Sequence, residues 1–257
     1  MVELLCKVPS CALDLRNNIG SIPFFYSVDN TKIVRELLRH QQRFDINTPN
    51  NEGYTALHVA VIRNNIDAVR LILDAGGDLN IRTTEDDDTA LMSAITCEDK
   101  KIFDMIIRQY ASKINIDDVN ANNENLLHYA ARAGNAQAAQ LLCQYTNVNF
   151  TLPNTCCGHN PFMIAIIEGH MSVVQELLKY LSRFNINYQD VRSNSTALHL
   201  AIRHDRTEMI ELICSRVPNL DLTLENHAGD TPIQMAARAG NFSILRDLVR
   251  YKKEQNK

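Results

Sequence analysis

Two kinds of short apolar run alternate along the chain. The first is rich in small residues and follows a Thr or Asn, as in Ala56-Leu57-His58-Val59-Ala60-Val61 or Tyr129-Ala130-Ala131. The second places larger apolar residues at helical spacing, as in Ile66, Val69, Ile72 and Leu73, or Val173, Val174, Leu177 and Leu178. Polar or Gly-containing breaks separate the two: Asn64-Asn65, Gly134-Asn135, Gly169-His170, Asp205-Arg206 and Gly240-Asn241. After the second run come short extended pieces (Asp78-Leu79-Asn80, Val148-Asn149, Asn185-Ile186-Asn187, Leu220-Asp221-Leu222), then turn-rich polar linkers. The pattern predicts a short helix, a turn, a second helix and a projecting hairpin, repeated.

The repeat is regular. Thr55-Ala56-Leu57-His58, Asn125-Leu126-Leu127-His128 and Thr196-Ala197-Leu198-His199 are close copies of one tetrapeptide. Thr89-Ala90-Leu91-Met92, Asn160-Pro161-Phe162-Met163 and Thr231-Pro232-Ile233-Gln234 are weaker copies, and Ile22-Pro23-Phe24-Phe25 is the most degenerate. They start at 22, 55, 89, 125, 160, 196 and 231, so successive differences are 33, 34, 36, 35, 36 and 35. Each Thr or Asn stands where a helix N-cap is wanted, its side-chain oxygen able to accept from orphan backbone N–H groups. Pro161 and Pro232 fall at the first helical position, where proline is well tolerated.

These residues resemble the ankyrin repeat, whose signature is T-P-L-H-x-A on a period of 33 residues. The resemblance implies an all-α solenoid of stacked helix-turn-helix units with projecting β-hairpin loops. It runs through one array over 1–257, with repeats near 19–49, 50–83, 84–119, 120–154, 155–190, 191–225 and 226–251 and a polar tail at 252–257. Most periods here exceed the usual length, with the extra residues near 108–113 and 179–183, where longer second helices or wider bends are expected. Residues 1–18 form a half-repeat or cap: Met1-Val2-Glu3-Leu4-Leu5-Cys6 is similar to Met209-Ile210-Glu211-Leu212-Ile213-Cys214. The apolar Leu4, Leu5 and Val8 suit a fragment of a longer protein better than a natural end cap, which needs a polar outer face.

Composition narrows the function. The 257 residues are 45% apolar and 22% charged, enough to build a core. A formal charge of −4 and the lack of Trp argue against nucleic acid, whose binding rests on a basic excess and stacking aromatics. No apolar stretch approaches the roughly 18 residues of a spanning helix, so no membrane partner is expected. Seven cysteines, an odd count without CxxC spacing, read as free thiols in a reducing compartment, hence an intracellular site, cytoplasmic or nuclear.

Catalysis finds no support. His58, His128 and His199 occupy one repeat position, and by the resemblance that imidazole bonds backbone between hairpin and helix. Thr155-Cys156-Cys157-Gly158-His159 gathers soft ligands but lacks the second pair a zinc site wants. Nucleophile-elbow and phosphate-loop motifs are missing, and Asp117-Asp118 reads as solvated linker acid. No enzyme activity, metal or cofactor is expected.

What remains is a surface for one or more proteins, presented by a monomer acting as scaffold or adaptor. By the resemblance, partners dock on the concave side, at hairpin tips and inner-helix positions: Glu52, Tyr54, Glu85, Asp86, Asp88, Glu124, His159 and Arg192 at the tips, and Arg63, Arg132, Glu168, Arg203, His204 and Arg238 on the helices. The early tips are acidic and the helix ladder basic, so a partner of mixed charge is expected, basic where it meets the early tips. The alternative is that these are ordinary solvated charges. Other functional forms left open are the recognition part of a larger enzyme, channel or ubiquitin-ligase subunit, an inhibitor of the kind that restrains NF-κB, and a pathogen effector that sequesters a host protein.

Overall fold

Helices begin where the tetrapeptides do. The structure, a computed structural model, describes residue 8 and residues 11–97, 99–145 and 148–255; most of the half-repeat expected over 1–18, and the end of the tail, lie outside the described residues. Thirteen α-helices occur among the described residues: α1 (Thr31–Leu38), α2 (Ala56–Ile62), α3 (Ile66–Asp74), α4 (Ala90–Thr96), α5 (Lys101–Gln109), α6 (Leu126–Arg132), α7 (Ala136–Cys143), α8 (Pro161–Glu168), α9 (Met171–Leu177), α10 (Ala197–Arg203), α11 (Thr207–Arg216), α12 (Pro232–Arg238) and α13 (Phe242–Gln255). Thr55, Thr89, Asn125, Asn160, Thr196 and Thr231 are the N-caps of the inner helices α2, α4, α6, α8, α10 and α12. At Thr196 and Thr231 the hydroxyl accepts from the amide three residues on, at 3.3 and 3.4 Å. The degenerate first copy lacks a side-chain oxygen at Ile22, and its inner segment, Pro23–Ser27, is 3-10 rather than α.

Two backbone positions recur in a left-handed conformation, and Gly, Asn or Asp stands at each of those named here. Two residues before each N-cap stand Gly53, Asp87, Asn123, Gly158, Asn194 and Gly229, all with positive φ. Between the paired helices stand Asn64, Gly134, Gly169, Asp205 and Gly240, also with positive φ. The second helix is then capped by an Asn in several repeats: Asn65 accepts from the Ala68 amide at 3.1 Å and Asn135 from Ala138 at 3.0 Å.

The chain forms two compact units, residues 1–121 and 122–257. In the first, α2 packs on α3 and α4, and α3 on α5. Ala60, Val61, Ala90, Ala94, Val69, Ile72, Ile102 and Ile106 are sealed from solvent. In the second, α6 packs on α7 and α8, α8 on α10, and α10 on α11 and α12. There the small residues Ala130, Ala131, Ala165, Ala201 and Ala236 let inner helices approach, and Leu142, Val174, Ile210 and Leu248 fill the layer behind them.

The surplus residues of the long periods are taken up by 3-10 turns rather than by longer α-helices: Ala111–Lys113 and Leu178–Arg183 follow α5 and α9. The hairpins are tight turns carrying single antiparallel bridges, Arg82 with Thr89 and Gln189 with Thr196.

Candidate partner-binding surface

Five hairpin tips are closed on themselves before they offer anything outward. Asn50 N donates to Tyr54 O at 2.8 Å, and the same closure recurs from Thr83 to Asp88 (2.9 Å), Asn154 to His159 (3.0 Å), Asp190 to Ser195 (2.9 Å) and Asn226 to Asp230 (3.0 Å). An Asn or Asp at the first of these positions also folds its side chain over the turn. Asn50 Oδ1 accepts from the amides of Glu52 (3.0 Å) and Tyr54 (2.9 Å), and Asn226 Oδ1 from those of Ala228 (2.9 Å) and Asp230 (3.1 Å).

Within each unit, most neighbouring tips are linked through backbone. In the first, Asn51 N donates to Ile19 O (3.0 Å), Thr84 N to Glu52 O (2.9 Å) and Ala121 N to Asp86 O (3.2 Å). In the second, Thr155 N donates to Asn122 O and His227 N to Ser193 O, both at 2.9 Å. The tips are thus pre-ordered, and a partner meeting them does not pay for folding the loops.

The repeated imidazoles do structural work. Nδ1 of His58, His128 and His199 accepts from the N-cap amides of Thr55, Asn125 and Thr196 at 3.1, 3.2 and 3.2 Å. On the other side of the ring, Nε2 of His128 meets His159 O at 3.3 Å and Nε2 of His199 meets Asp230 O at 2.9 Å. Burial pushes the pKa of His58 and of His128 down to about 4, and lowers that of His199. All three rings are neutral, and those of His128 and His199 are hydrogen-bond bridges.

In the second unit the expected charges are already engaged. Arg132 Nη1 lies 2.8 Å from Glu124 Oε2, Arg203 Nη2 3.2 Å from Ser195 Oγ, and Arg238 Nη1 2.7 Å from Asp230 Oδ2. In all three the arginine near the end of an inner helix reaches back eight residues to the residue before its own N-cap. Glu124 is 3% exposed and also accepts from Asn154 Nδ2, so it offers no open carboxylate to a partner, contrary to the sequence expectation. Burial alone would raise its pKa, but the Arg132 bonds and charge outweigh that and hold it low. His159 is half-buried, its pKa lowered first by that burial, and Glu168 and His204 are exposed. Arg192 is exposed and lies beside Cys157.

In the first unit the picture is reversed. Glu52, Glu85 and Asp86 are exposed, and their carboxylates have no partner among the described residues. Burial, then the charges of Asp86, Glu52, Asp88 and Glu85, push the Tyr54 phenol above its ordinary range. Asp88 is half-buried and accepts from Asn120 Nδ2 at 3.3 Å. Tyr54, Glu52 and Arg63 line one depression of about 340 Å³ with Asn50, Val59 and Ile62. Ile62 is 53% exposed, an apolar floor beside an acidic rim. Asp118 is not the solvated linker acid expected: Arg82 pairs with it and with Asp87. Of the residues singled out in sequence, the structure therefore gathers Glu52, Tyr54, Arg63, Glu85, Asp86 and Asp88 in one unit. In the other it ties Arg132, Arg203 and Arg238 to their own tips.

A stack of capped helix pairs whose ordered tips carry the variable side chains defines a repeat protein of the interaction-scaffold class, in which function sits on the surface and not in an enclosed pocket. The model of ankyrin repeats (3 copies) matches residues 1–83, 24–118, 71–154, 91–190, 146–226 and 181–257. The chain belongs to the ankyrin repeat family, a fold of non-catalytic interaction domains. Among solved structures it is similar to the ankyrin repeat domain of Bcl-3, a member of the IkappaB protein family, with a TM-score of 0.75 and 24% identity over 89% of this chain and 98% of that one. Among curated proteins, it is 27% identical to a B-cell lymphoma 3 protein homolog of Mus musculus, over 79% of this chain and 44% of the relative. It is 29% identical to a putative ankyrin repeat protein of Fowlpox virus, over 64% of this chain and 48% of the relative. The chain spans less than half the length of each of these curated relatives. No helix among the described residues is long and apolar enough to cross a membrane.

Proposed function

We propose that the chain is a non-catalytic scaffold or adaptor that holds a partner protein on its hairpin tips, and that the partner presents a basic segment with an apolar side chain to the first unit. The observation that supports this reading is the acidic rim of Glu52, Glu85 and Asp86, which has no internal partner, around Tyr54 and the exposed Ile62. Unpaired like charges held together on ordered backbone raise the local potential, which speeds encounter with an oppositely charged segment and rejects an acidic one. The ladder arginines contribute less to selectivity than their number suggests, because three of them are bound to their own tips.

The test is affinity capture with the wild-type chain and with a Glu85→Lys, Asp86→Lys variant, followed by association kinetics of the recovered protein at low and high salt. These two carboxylates bear no fold contact, so the variant isolates charge. Slower association of the variant at low salt, converging with wild type at high salt, supports the proposal. Identical rates at every salt concentration would refute it.

A second reading, that the chain is the recognition region of a longer protein, is favoured by how small a part of its relatives it spans. Transcript sequence on either side would decide it.

A further inference from the structure

An outer helix of the second unit buries a carboxylate that the fold leaves half-bonded. Asp247, in α13, is 2% exposed. Its Oδ1 lies 3.3 Å from Arg250 Nη2 and 3.8 Å from Arg246 Nε. Its Oδ2 is sealed and has no hydrogen-bond partner among the described residues. A carboxylate oxygen held out of water without a bond is costly, and a donor brought from outside removes that cost.

Asp247 lines two hollows where α13 packs on α11. The smaller, about 260 Å³, is walled by Glu211 and Ser215 of α11 and by Asp247, Arg250 and Glu254 of α13. The larger, about 550 Å³, shares the first four of these and adds Glu208 and Arg246 to the charge. Glu208, Glu211 and Glu254 are exposed and pair with no cation among the described residues. Both arginines are engaged at Oδ1, so four carboxylates face two guanidinium groups. The other polar groups supply no positive charge. Burial, then the charge of Asp247, push the Cys214 thiol up to about 11, and the Tyr251 hydroxyl donates to Val217 O at 2.8 Å.

The missing cation is not a metal: no group of three or more His, Cys, Asp or Glu among the described residues is placed to hold one. Acids spread along a hollow suit a cation with several donors. A guanidinium carries five N–H groups in a planar fork, enough to serve Asp247 Oδ2, Glu211 and the Ser215 hydroxyl at once.

We infer that the hollow between α11 and α13 is a docking site for an arginine side chain of a partner protein, with Asp247 Oδ2 as its buried anchor. Arg246 and Arg250 are 75% and 64% exposed, so their head groups move into water as the incoming guanidinium takes up the carboxylate. The site is built from other residues than the acidic tips of the first unit and does not rest on them.

The experiment titrates the isotope-labelled full chain with N-acetyl-arginine amide and follows the amide resonances of Glu211, Ser215, Asp247 and Arg250. Saturable shifts are expected there, with none from the neutral isostere N-acetyl-citrulline amide. Asp247→Asn, which keeps the shape and removes the charge, should weaken binding about tenfold or more. The exposed Glu211→Gln should weaken it by a smaller factor. Glu85→Lys, Asp86→Lys should leave it unchanged, which separates this site from the tips. Thermal unfolding adds a second readout: Asp247→Asn should melt no lower than wild type, since it removes a charge that the fold leaves half-bonded. A marked fall in Tm would make Asp247 a structural anchor of α13 and overturn the assignment. Equal shifts with the citrulline probe, unchanged affinity in Asp247→Asn, or self-association of the chain through this hollow would overturn it too.

Discussion

His199 places its Nε2 2.9 Å from the carbonyl oxygen of Asp230, 31 residues further along the chain. Its Nδ1 already accepts from the Thr196 amide, so the proton must sit on Nε2 and the ring must be neutral. One imidazole thereby ties the start of its own helix to the hairpin of the following repeat. His128 does the same with His159.

Stability should consequently fall on mild acidification. The buried imidazoles bind protons less readily than the unfolded chain does, so their contribution is complete above about pH 6.5 and is lost as pH falls towards the folded values. For His58 and His128 those values are about 4. Each histidine removes about 1.4 kcal/mol per pH unit within that window. Urea midpoints at pH 7.5 and pH 5 would show the drop, and His128→Gln should reduce its slope. A slope unchanged by that substitution would count against the account.

Glu124 and Arg132 should respond unequally to mutation. Arg132 is 45% exposed and its head group can return to water, whereas the Glu124 carboxylate cannot. Arg132→Met leaves a buried charge that still accepts from Asn154 and should cost about 2 kcal/mol. Glu124→Gln, which keeps a hydrogen-bonding group there, should cost less than half of that. Chemical denaturation of the two variants side by side would settle the order.

Gly53 should tolerate no side chain. It has φ +82°, and a Cβ there would lie 2.7 Å from Arg82 O and 2.8 Å from Thr83 Cα on the neighbouring hairpin. Gly53→Ala must strain its own backbone and push the two tips apart, for a loss of about 2 kcal/mol or more. Thermal unfolding, together with faster hydrogen exchange at the Thr84 amide, would report both effects.

Enlarging an inner helix should be worse than trimming an outer one is usually assumed to be. Ala201 is fully buried where α10 packs between α8 and α12. Ala201→Leu overfills that layer and should destabilise by about 1–3 kcal/mol, with line broadening in the methyl spectrum of its neighbours. Unchanged stability would mean the helices separate freely, which the sealed packing contradicts.

Much of this architecture could be read before any coordinates. Helix starts at Thr55, Asn125 and Thr196 follow from a short-range requirement, a side-chain oxygen one step before an apolar run, and local rules of that kind survive folding. The turns at Asn64 and Gly134 were equally legible. The 3-10 turns after α5 and α9 were located but not described, because surplus residues can be absorbed by more helix or by a tighter winding, and tertiary packing decides between them. The left-handed position two before each N-cap was not singled out, because its Gly, Asn and Asp stand among other turn residues in the linkers.

The surface was less legible. Counting charges found the acidic tips, whose isolation from partners is a local matter of turn geometry. It overvalued the ladder, since the residues that bind Arg132, Arg203 and Arg238 stand before the N-caps, where helical periodicity gives no guide. The contact of Arg132 with Glu124 arises because the tip lies beyond the helix end, within reach of a long side chain. The meeting of Cys157 with Arg192 spans two repeats and has no signature in either one.

The backbone relay along the tips carries a consequence for change over generations. Carbonyls and amides secure most loops to their predecessors, so exposed turn residues whose side chains bond to nothing are spared from holding the loops together. Glu52, Glu85 and Asp86 occupy such places in the first unit. Such a framework can be re-addressed one letter at a time, acquiring a new binding preference without rebuilding the part that stands upright.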